Sequence, residues 1–228
     1  MAVTKKTVVE ALAPVVMTAA YAALLFICAD TVRWPMAWAY LAVMTFVLAG
    51  ATRTLKRQPD LMAERRKPPA DAKRWDKPLV AVIGVVGPVA LVVVCAFDHR
   101  FQLSPPLSVW WLVTGLVLVA AGGILSNWAL AVNRFFSALV RIQRDRGHQV
   151  VEEGPYRLVR HPGYLGSIIH MPGAALALGS LWGLAVVAIV TALLVVRTGL
   201  EDRTLRTELD GYEAYAQRVR YRLVPGIW

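Results

Sequence analysis

Thirteen consecutive residues, 154–166, combine side chains that a simple connecting loop does not need. The segment reads Gly-Pro-Tyr-Arg-Leu-Val-Arg-His-Pro-Gly-Tyr-Leu-Gly and lies between two long apolar stretches of the chain. Its prolines fix the backbone angle φ, and its glycines let other groups approach the backbone closely. Its arginines, histidine and tyrosines supply polar contacts. We therefore predict that this segment holds a polar ligand at the edge of a membrane.

The end of this segment predicts the start of a helix at Pro162. Proline is tolerated there because the first N–H groups of a helix have no partner in any case. The free N–H groups and the positive end of the helix dipole then face a ligand. Taken singly, His161 is also consistent with a helix cap, Tyr164 with an interfacial aromatic residue and Arg160 with a lipid-phosphate contact. Their crowding favours a binding site.

A second set of polar residues follows the last apolar stretch. Residues with a shared helical face recur there at intervals of three or four: Glu201, Leu205, Glu208, Tyr212, Tyr215 and Val219. The spacing predicts an amphipathic helix on the cytoplasmic side, with a kink at Gly211. Glu201, placed opposite the helix start beside His161, would be suited to bind an ammonium group.

The fold class follows from the blocks of apolar residues in a chain that is 57% hydrophobic. Six blocks approach the roughly 20 residues that a membrane-spanning helix needs: 11–29, 35–51, 79–97, 107–132, 164–179 and 181–199. We predict an all-α, polytopic membrane helix bundle of about six transmembrane helices, followed by the C-terminal amphipathic helix. A tight hairpin is expected between the last two spans, near Gly179.

The charge distribution predicts the orientation of these spans. Of the 25 lysines and arginines, all but Arg33 and Arg100 fall on one side of a six-span arrangement, which is the pattern of the positive-inside rule. We therefore expect both termini and the site to be cytoplasmic. The net charge of +10 then indicates anionic lipid headgroups as partners and not nucleic acid. The composition, rich in Ala, Val and Arg, favours a bacterial plasma membrane.

The chain divides into residues 1–106, with three spans and a basic loop, and residues 107–228, which hold most of the polar motifs. The basic loop is either a solvated connector or a lid that contacts lipid. Cys28 and Cys95 lie inside apolar blocks, so no metal site and no disulfide are expected. His170 lies inside a span, where an ionisable residue indicates either a function or a hydrogen bond to a neighbouring helix.

The motif residues resemble the isoprenylcysteine carboxyl methyltransferase family, integral membrane enzymes that use S-adenosylmethionine. The resemblance covers roughly 107–228 and rests on three groups: Gly154-Pro155-Tyr156-Arg157, Val159-Arg160-His161-Pro162 with Tyr164 and Gly166, and Glu201-Asp202 with Tyr212, Tyr215 and the closing Arg-x-x-Pro. Asp202 stands where a second glutamate is more usual in that family. Residues 1–106 match only in being hydrophobic.

The resemblance implies a role for each matching position. Residues implied to bind the cofactor are His148, Val150, Val151, Tyr156, Arg160, His161, Pro162, Tyr164, Gly166 and Glu201. Within this set, the backbone of 147–151 would follow the adenosyl group and Glu201 would hold the methionine ammonium. Arg218, or alternatively Arg222, would lie near the carboxylate of the methyl acceptor.

The implied chemistry suits these residue types. The methyl donor is an activated sulfonium, so the reaction needs alignment of its reactants, and a carboxylate acceptor is already ionised near neutral pH. The acceptor would be a lipophilic small molecule or a lipidated substrate that enters from the bilayer. Two other functions remain open: an NADPH-dependent membrane reductase of the sterol-reductase type, whose motif is similar, and a non-catalytic protein that binds lipid.

Overall fold

The computed structural model describes the backbone of residues 5–66 and 71–228, and side-chain surroundings for 14–65 and 71–228. Its regular structure is helical, without a strand in these ranges, as the predicted all-α class requires. The helices are α1 Lys5–Ala29, α2 Pro35–Lys56, α3 Pro59–Arg66, α4 Asp76–Ala81, α5 Gly87–Phe101, α6 Val109–Val132, α7 Pro162–Ala177, α8 Leu181–Glu208 and α9 Tyr212–Arg218. A π-helical turn, Val82–Val86, joins α4 to α5, so that Asp76–Phe101 forms one continuous helix.

Four of the six predicted spans are helices long and apolar enough to cross a membrane: Pro35–Lys56, Asp76–Phe101, Val109–Val132 and Leu181–Glu208. The first and fifth predicted spans are also helical but shorter, since the described apolar part of α1 is Pro14–Ala29 and α7 has 16 residues. The predicted hairpin is confirmed, because Gly179 adopts φ +71° in a turn between α7 and α8. Lys5, Lys6, Arg66 and Lys67, which enter the charge argument, lie outside the described side chains.

The last predicted span, 181–199, and the helical segment predicted after it form one continuous helix, α8. Helix α8 runs without interruption to Glu208, because residues 200–208 include neither glycine nor proline. The chain breaks instead at Gly211, whose φ of +81° is accessible to glycine at little cost, and the short α9 follows. The predicted kink at Gly211 is thus confirmed, and the helical stripe from Glu201 to Val219 is divided between the end of α8 and α9.

Helices α6 and α7 are the most closely packed pair, and glycines permit their approach. A Cβ atom on Gly122 would lie 2.4 Å from the carbonyl oxygen of Gly166, and one on Gly115 would lie 2.3 Å from the backbone of Ala177. Small residues allow this backbone contact, as in other membrane helix pairs. The packing fixes the N-terminal end of α7, where His161 and Pro162 lie.

The two ends of the bundle differ in composition. At one end Arg100 pairs with Asp30, Trp34 stacks on His99, and the buried Asp98 accepts hydrogen bonds from two serines. At the other end the described segments 57–65, 71–78, 133–160 and 201–222 are joined by ion pairs. The basic loops of the sequence therefore gather at one end of the molecule, together with the predicted site.

Candidate active site

A cavity of about 450 Å³ opens at the basic end of the bundle. Its wall combines the segment 133–151, the start of α7, the polar part of α8 and α9, and apolar residues of α4 and the π-helical turn. Eight of the ten residues predicted to bind a cofactor line it: His148, Val150, Val151, Tyr156, Arg160, His161, Tyr164 and Glu201. The structure thus brings together two sequence segments that lie about 40 residues apart.

Glu201 reaches the cavity from the third-last turn of α8 and is only partly buried. Within the described residues its carboxylate has one hydrogen-bond partner, the phenol of Tyr164, which donates to Oε2 at 2.5 Å. The ring of Tyr164 in turn carries the guanidinium of Arg197, 5.0 Å from the ring centroid. Because one carboxylate oxygen retains most of its capacity to accept, Glu201 is suited to receive a cationic ligand group.

Asp202 is the neighbour of Glu201 in sequence, yet it is fully buried behind the cavity wall. Its Oδ1 accepts from Arg160 Nε at 2.7 Å, and its Oδ2 accepts from Arg222 Nε at 2.8 Å and from Arg206 Nε at 3.2 Å. The hydroxyl of Tyr212 donates to Oδ1 at 3.0 Å. This carboxylate therefore neutralises a cluster of arginines and is not available to a ligand.

The Asp202 cluster also fixes the motif at the start of α7. Arg160 donates through Nη1 to the carbonyl oxygens of Val219 and Arg220, at 2.7 and 2.8 Å. The backbone N–H of His161 donates to the carbonyl of Arg222 at 2.9 Å, and its Nε2 lies 3.4 Å from Asp202. Arg160 was predicted to bind cofactor, but its guanidinium is committed to these protein partners.

Two tyrosines of α9 close the cavity from the C-terminal side. Tyr212 and Tyr215 are buried with their rings at 5.5 Å in an edge-on arrangement. Burial, and next the charge of Asp202, raise the pKa of Tyr212 well above its ordinary value. The hydroxyl of Tyr215 donates to the carbonyl of Tyr156 at 2.7 Å, which ties α9 to the motif. Both phenols therefore stay protonated and act as donors.

The segment 143–151 forms the opposite wall, where the adenosyl group was expected. His148 accepts a hydrogen bond from the backbone N–H of Gln143 on Nδ1 at 3.2 Å, so its Nε2 carries the proton in the neutral ring. Burial, followed by the charges of Arg141 and Arg146, lowers the pKa of His148 to about 4. Near neutral pH this histidine is uncharged and presents a single donor.

Two predicted cofactor residues, Pro162 and Gly166, are near the cavity but do not line it. Pro162 is buried in the first turn of α7, as the sequence predicts. Gly166 packs against α6, where an added Cβ would lie 2.3 Å from the hydroxyl of Ser126. Their positions indicate support for the helix start, not direct contact with a ligand.

The two arginines proposed for the acceptor, Arg218 and Arg222, lie outside the cavity wall. The side chain of Arg218 is 58% exposed and pairs with Glu152. Arg222 is held between Asp202 and the ring of Trp228, 4.8 Å from its centroid. The structure does not bring either guanidinium to the site.

An ion pair that was not predicted from the sequence anchors the cavity from α4. Arg197 donates through Nε and Nη2 to the two carboxylate oxygens of Asp76 at 2.7 and 3.0 Å, and Asp76 is fully buried. Asp76 also accepts from the backbone N–H of Val140 at 2.7 Å. The available signal was Arg197 itself, a charge within an apolar stretch, which indicates a buried partner.

The donor set of the cavity fits S-adenosylmethionine. Glu201 offers a carboxylate to an ammonium group, the segment 148–151 offers an edge of backbone and the donor of His148, and apolar side chains such as Val150 and Leu205 surround these groups. Among the described residues no cluster of three or more His, Cys, Asp or Glu could hold a metal ion. One cavity could therefore hold both the ammonium group and the adenine ring of this cofactor, at Glu201 and at the segment 148–151 respectively.

Comparison with known proteins matches residues 110–209 to the phospholipid methyltransferase family. The chain is 32% identical over 114 residues to protein-S-isoprenylcysteine O-methyltransferase B of Arabidopsis thaliana, a match that covers 48% of this chain and 58% of that protein. It is 34% identical over 122 residues to a probable protein-S-isoprenylcysteine O-methyltransferase of Oryza sativa subsp. indica. That match covers 51% of this chain and 64% of the rice protein. The chain thus spans about 60% of the length of these relatives.

The matched segment includes the start of α7, the whole cavity-facing part of α8 and the segment 133–151. It leaves out α9, which contributes Tyr212 and Tyr215, and all residues before α6. Residues 110–209 are thus similar to the phospholipid methyltransferase family, and the resemblance that the motifs indicate is confirmed over that segment.

Proposed function

We propose that this protein is an integral membrane methyltransferase that transfers a methyl group from S-adenosylmethionine to the carboxylate of a lipophilic acceptor of the prenylcysteine type. The observation that carries the proposal is the single cavity that joins Glu201 and the segment 148–151 to an apolar wall on α4. The names of the similar plant proteins support methyl transfer over the reductase reading.

The donor would be held by residues of the matched segment. Glu201 would accept hydrogen bonds from the methionine ammonium, with Tyr164 holding the carboxylate in place. His148 would donate from Nε2 beside the adenosyl group, and the backbone of Val150 and Val151 would lie along it. When bound, S-adenosylmethionine supplies a methyl group on a positively charged sulfur, which is already activated towards a nucleophile.

The acceptor would reach the cavity from its apolar side. Val80, Ile83 and Gly84 line that side, on the helix Asp76–Phe101 that is long and apolar enough to cross a membrane. The π-helical turn at Val82–Val86 includes two of these residues, and such turns are frequent at functional sites. A lipid chain would lie here while its polar end points towards the basic end of the bundle.

The residues of the site would orient the reactants and would not move protons. A carboxylate acceptor is ionised near neutral pH, so its attack requires no general base. Tyr212 and Tyr215 keep their protons because burial raises their pKa, and His148 is neutral for the same physical reason. Alignment of two bound reactants is by itself a large rate term, on the order of 7–11 kcal/mol at its best.

The basic end of the bundle would face the cytoplasm. The positive-inside rule supports this orientation, because Arg33 and Arg100 are the only lysines or arginines that the sequence places on the other side. Reporter fusions at Arg57 and at Trp228 should both report cytoplasm, whereas a fusion at His99 should report the opposite side. A cytoplasmic signal from His99 would contradict the arrangement.

The activity is tested by transfer of radiolabelled methyl groups from S-adenosylmethionine to a panel of lipophilic acids, amines and alcohols in detergent or vesicles. We expect product from the acids, and we expect mild alkali to release the label because methyl esters hydrolyse. Label that survives alkali would exclude the carboxylate acceptor, and absence of transfer to every compound would contradict methyl transfer to this class of acceptor.

A further inference from the structure

The cavity wall includes an arginine from outside the family match, Arg65 in helix α3. Four arginines line the cavity: Arg65, Arg141, Arg160 and Arg197. The last three each have carboxylate partners, namely Glu64, Asp71 and Asp145 for Arg141, Asp202 for Arg160 and Asp76 for Arg197. Across the described part of the chain, Arg65 has no carboxylate within ion-pair distance.

The guanidinium of Arg65 is nevertheless held in a fixed orientation. Its Nε and Nη2 both donate to the carbonyl oxygen of Phe136, at 3.2 and 3.0 Å. Its Cζ also lies over the ring of Phe136, 5.3 Å from the centroid. Phe136 is itself fixed against the first turn of α7, because a Cβ atom on Gly163 would come within 2.6 Å of its ring. Nη1 makes no hydrogen bond in the described structure and is free to donate.

Helix α3 is anchored so that Arg65 stays at the cavity. The adjacent Glu64 receives two hydrogen bonds from Arg141, both at 2.8 Å. Both side chains of this pair are at most 8% exposed, so solvent screens it weakly. A preorganised arginine without a protein counter-charge is a suitable partner for a ligand carboxylate, because its fork matches that group.

The charges of the proposed reactants leave a place for such a group. The donor carries a sulfonium, an ammonium and a carboxylate, and the acceptor adds a second carboxylate. Glu201 can serve the ammonium, and an amino acid holds its carboxylate one carbon away from its ammonium. The donor carboxylate would therefore lie close to Glu201, and Arg65 itself makes no hydrogen bond or ion pair to Glu201 or Tyr164. The separate carboxylate of the acceptor is the other anionic group that Arg65 could bind, and the effect of an Arg65 substitution on donor affinity distinguishes the two.

We propose that Arg65 binds the carboxylate of the methyl acceptor through its free Nη1, so that the N-terminal half of the chain contributes a substrate-binding residue. The inference rests on the proposed function. It assigns to α3 the role that the family resemblance gives to Arg218 or Arg222. The guanidinium would balance the negative charge of the acceptor carboxylate and hold it in position. The carboxylate would remain unprotonated and nucleophilic.

The test compares binding of N-acetyl-S-farnesylcysteine and of its uncharged carboxamide to detergent-solubilised protein saturated with S-adenosylhomocysteine. Wild type should bind the acid at least ~10-fold more tightly than the amide, the scale of one charge-assisted hydrogen bond. Arg65→Gln should reduce this ratio to about 1–2, and Arg65→Lys should restore only part of it. Arg57→Gln, an exposed arginine between α2 and α3, is the matched control and should keep the wild-type ratio.

Three results would overturn the assignment. One is an unchanged acid-to-amide ratio in Arg65→Gln. Another is a loss of S-adenosylhomocysteine affinity in Arg65→Gln that equals its loss of affinity for the acid acceptor, which would indicate that Arg65 binds the donor carboxylate. The third is a wild type without preference for the acid. Failure of the proposed function is seen separately, as absence of methyl transfer by wild type to every acceptor in the panel.

Discussion

Two adjacent carboxylates of α8, Glu201 and Asp202, have opposite environments. Asp202 is fully buried and contacts three arginines, a tyrosine and a histidine, whereas Glu201 faces the cavity with Tyr164 as its one hydrogen-bond partner in the described structure. Successive residues of a helix point about 100° apart, so a single step in sequence separates the two regions. A buried carboxylate whose hydrogen bonds are all made within the protein, like Asp202, stabilises the fold. A carboxylate that faces a cavity with few protein partners, like Glu201, is available to bind a ligand.

This contrast predicts that the largest effect on folding comes from Asp202. Asp202→Asn leaves Arg160, Arg206 and Arg222 without their shared counter-charge, and removal of one partner from a buried pair costs about 3–5 kcal/mol. We expect a large fall in thermal unfolding temperature in detergent, or loss of folded protein. A variant as stable as wild type would show that the arginines do not depend on this carboxylate.

The matching change at Glu201 should affect binding and leave folding nearly intact. Glu201→Gln removes the charge but keeps the shape, so affinity for S-adenosylhomocysteine should fall by about 1.5–3 kcal/mol. The unfolding temperature should change much less than in Asp202→Asn, since Glu201 is partly exposed. Unchanged affinity in a folded Glu201→Gln protein would remove Glu201 from the site.

Arg222 and Arg218 allow the same comparison between a residue that stabilises the fold and one at the surface, here for two arginines. Arg222→Ala loses the Asp202 contact and the Trp228 ring, so we expect a measurable loss of stability, about 1–2 kcal/mol. Arg218→Ala removes an exposed ion pair, which is worth about 0–1 kcal/mol, and should leave turnover close to wild type. Strongly reduced turnover in Arg218→Ala with normal S-adenosylhomocysteine affinity would favour the role implied by the family resemblance and contradict the one proposed for Arg65.

The smallest effect concerns His148 and pH. Its folded-state pKa, about 4, lies below the ordinary value of 6.5, so the unfolded chain binds the proton more readily and stability falls as the pH is lowered from 6.5 towards 4. His148→Gln should lose this part of the pH dependence. The difference between the two unfolding curves should be on the order of 1 kcal/mol at pH 5 after allowance for partial exposure. Parallel curves from pH 7 to pH 4 would contradict the depressed pKa.

Some of this site could be predicted from sequence because its signals are local. Proline and glycine spacing located the start of α7, and the helical spacing after residue 201 placed Tyr212 and Tyr215 towards the interior, although α8 itself continues to Glu208. The partner of Arg197 could not be predicted in this way, since Asp76 is 121 positions distant and becomes a neighbour only when α4 packs on α8.

The position of Arg65 at the cavity could not be predicted for the same reason, because it depends on a contact between residues that are far apart in the sequence. Its partner Phe136 is 71 positions away, and the basic loop 53–77 that contains Arg65 carries no pattern that distinguishes this arginine among the nine basic residues there. The buried role of Asp202 could not be predicted either, because two of its three arginine partners, Arg160 and Arg222, lie in other segments of the chain. Ion pairs between distant segments follow from the packing of the helices and not from local spacing.

Cofactor binding at the Glu201 cavity is tested by calorimetric titration of the detergent-solubilised protein with S-adenosylhomocysteine and, separately, with NADPH. We predict saturable binding of S-adenosylhomocysteine to one site per chain, weakened in Glu201→Gln, and no binding of NADPH. Binding of NADPH at the Glu201 cavity, or no binding of S-adenosylhomocysteine to folded wild-type protein, would contradict it.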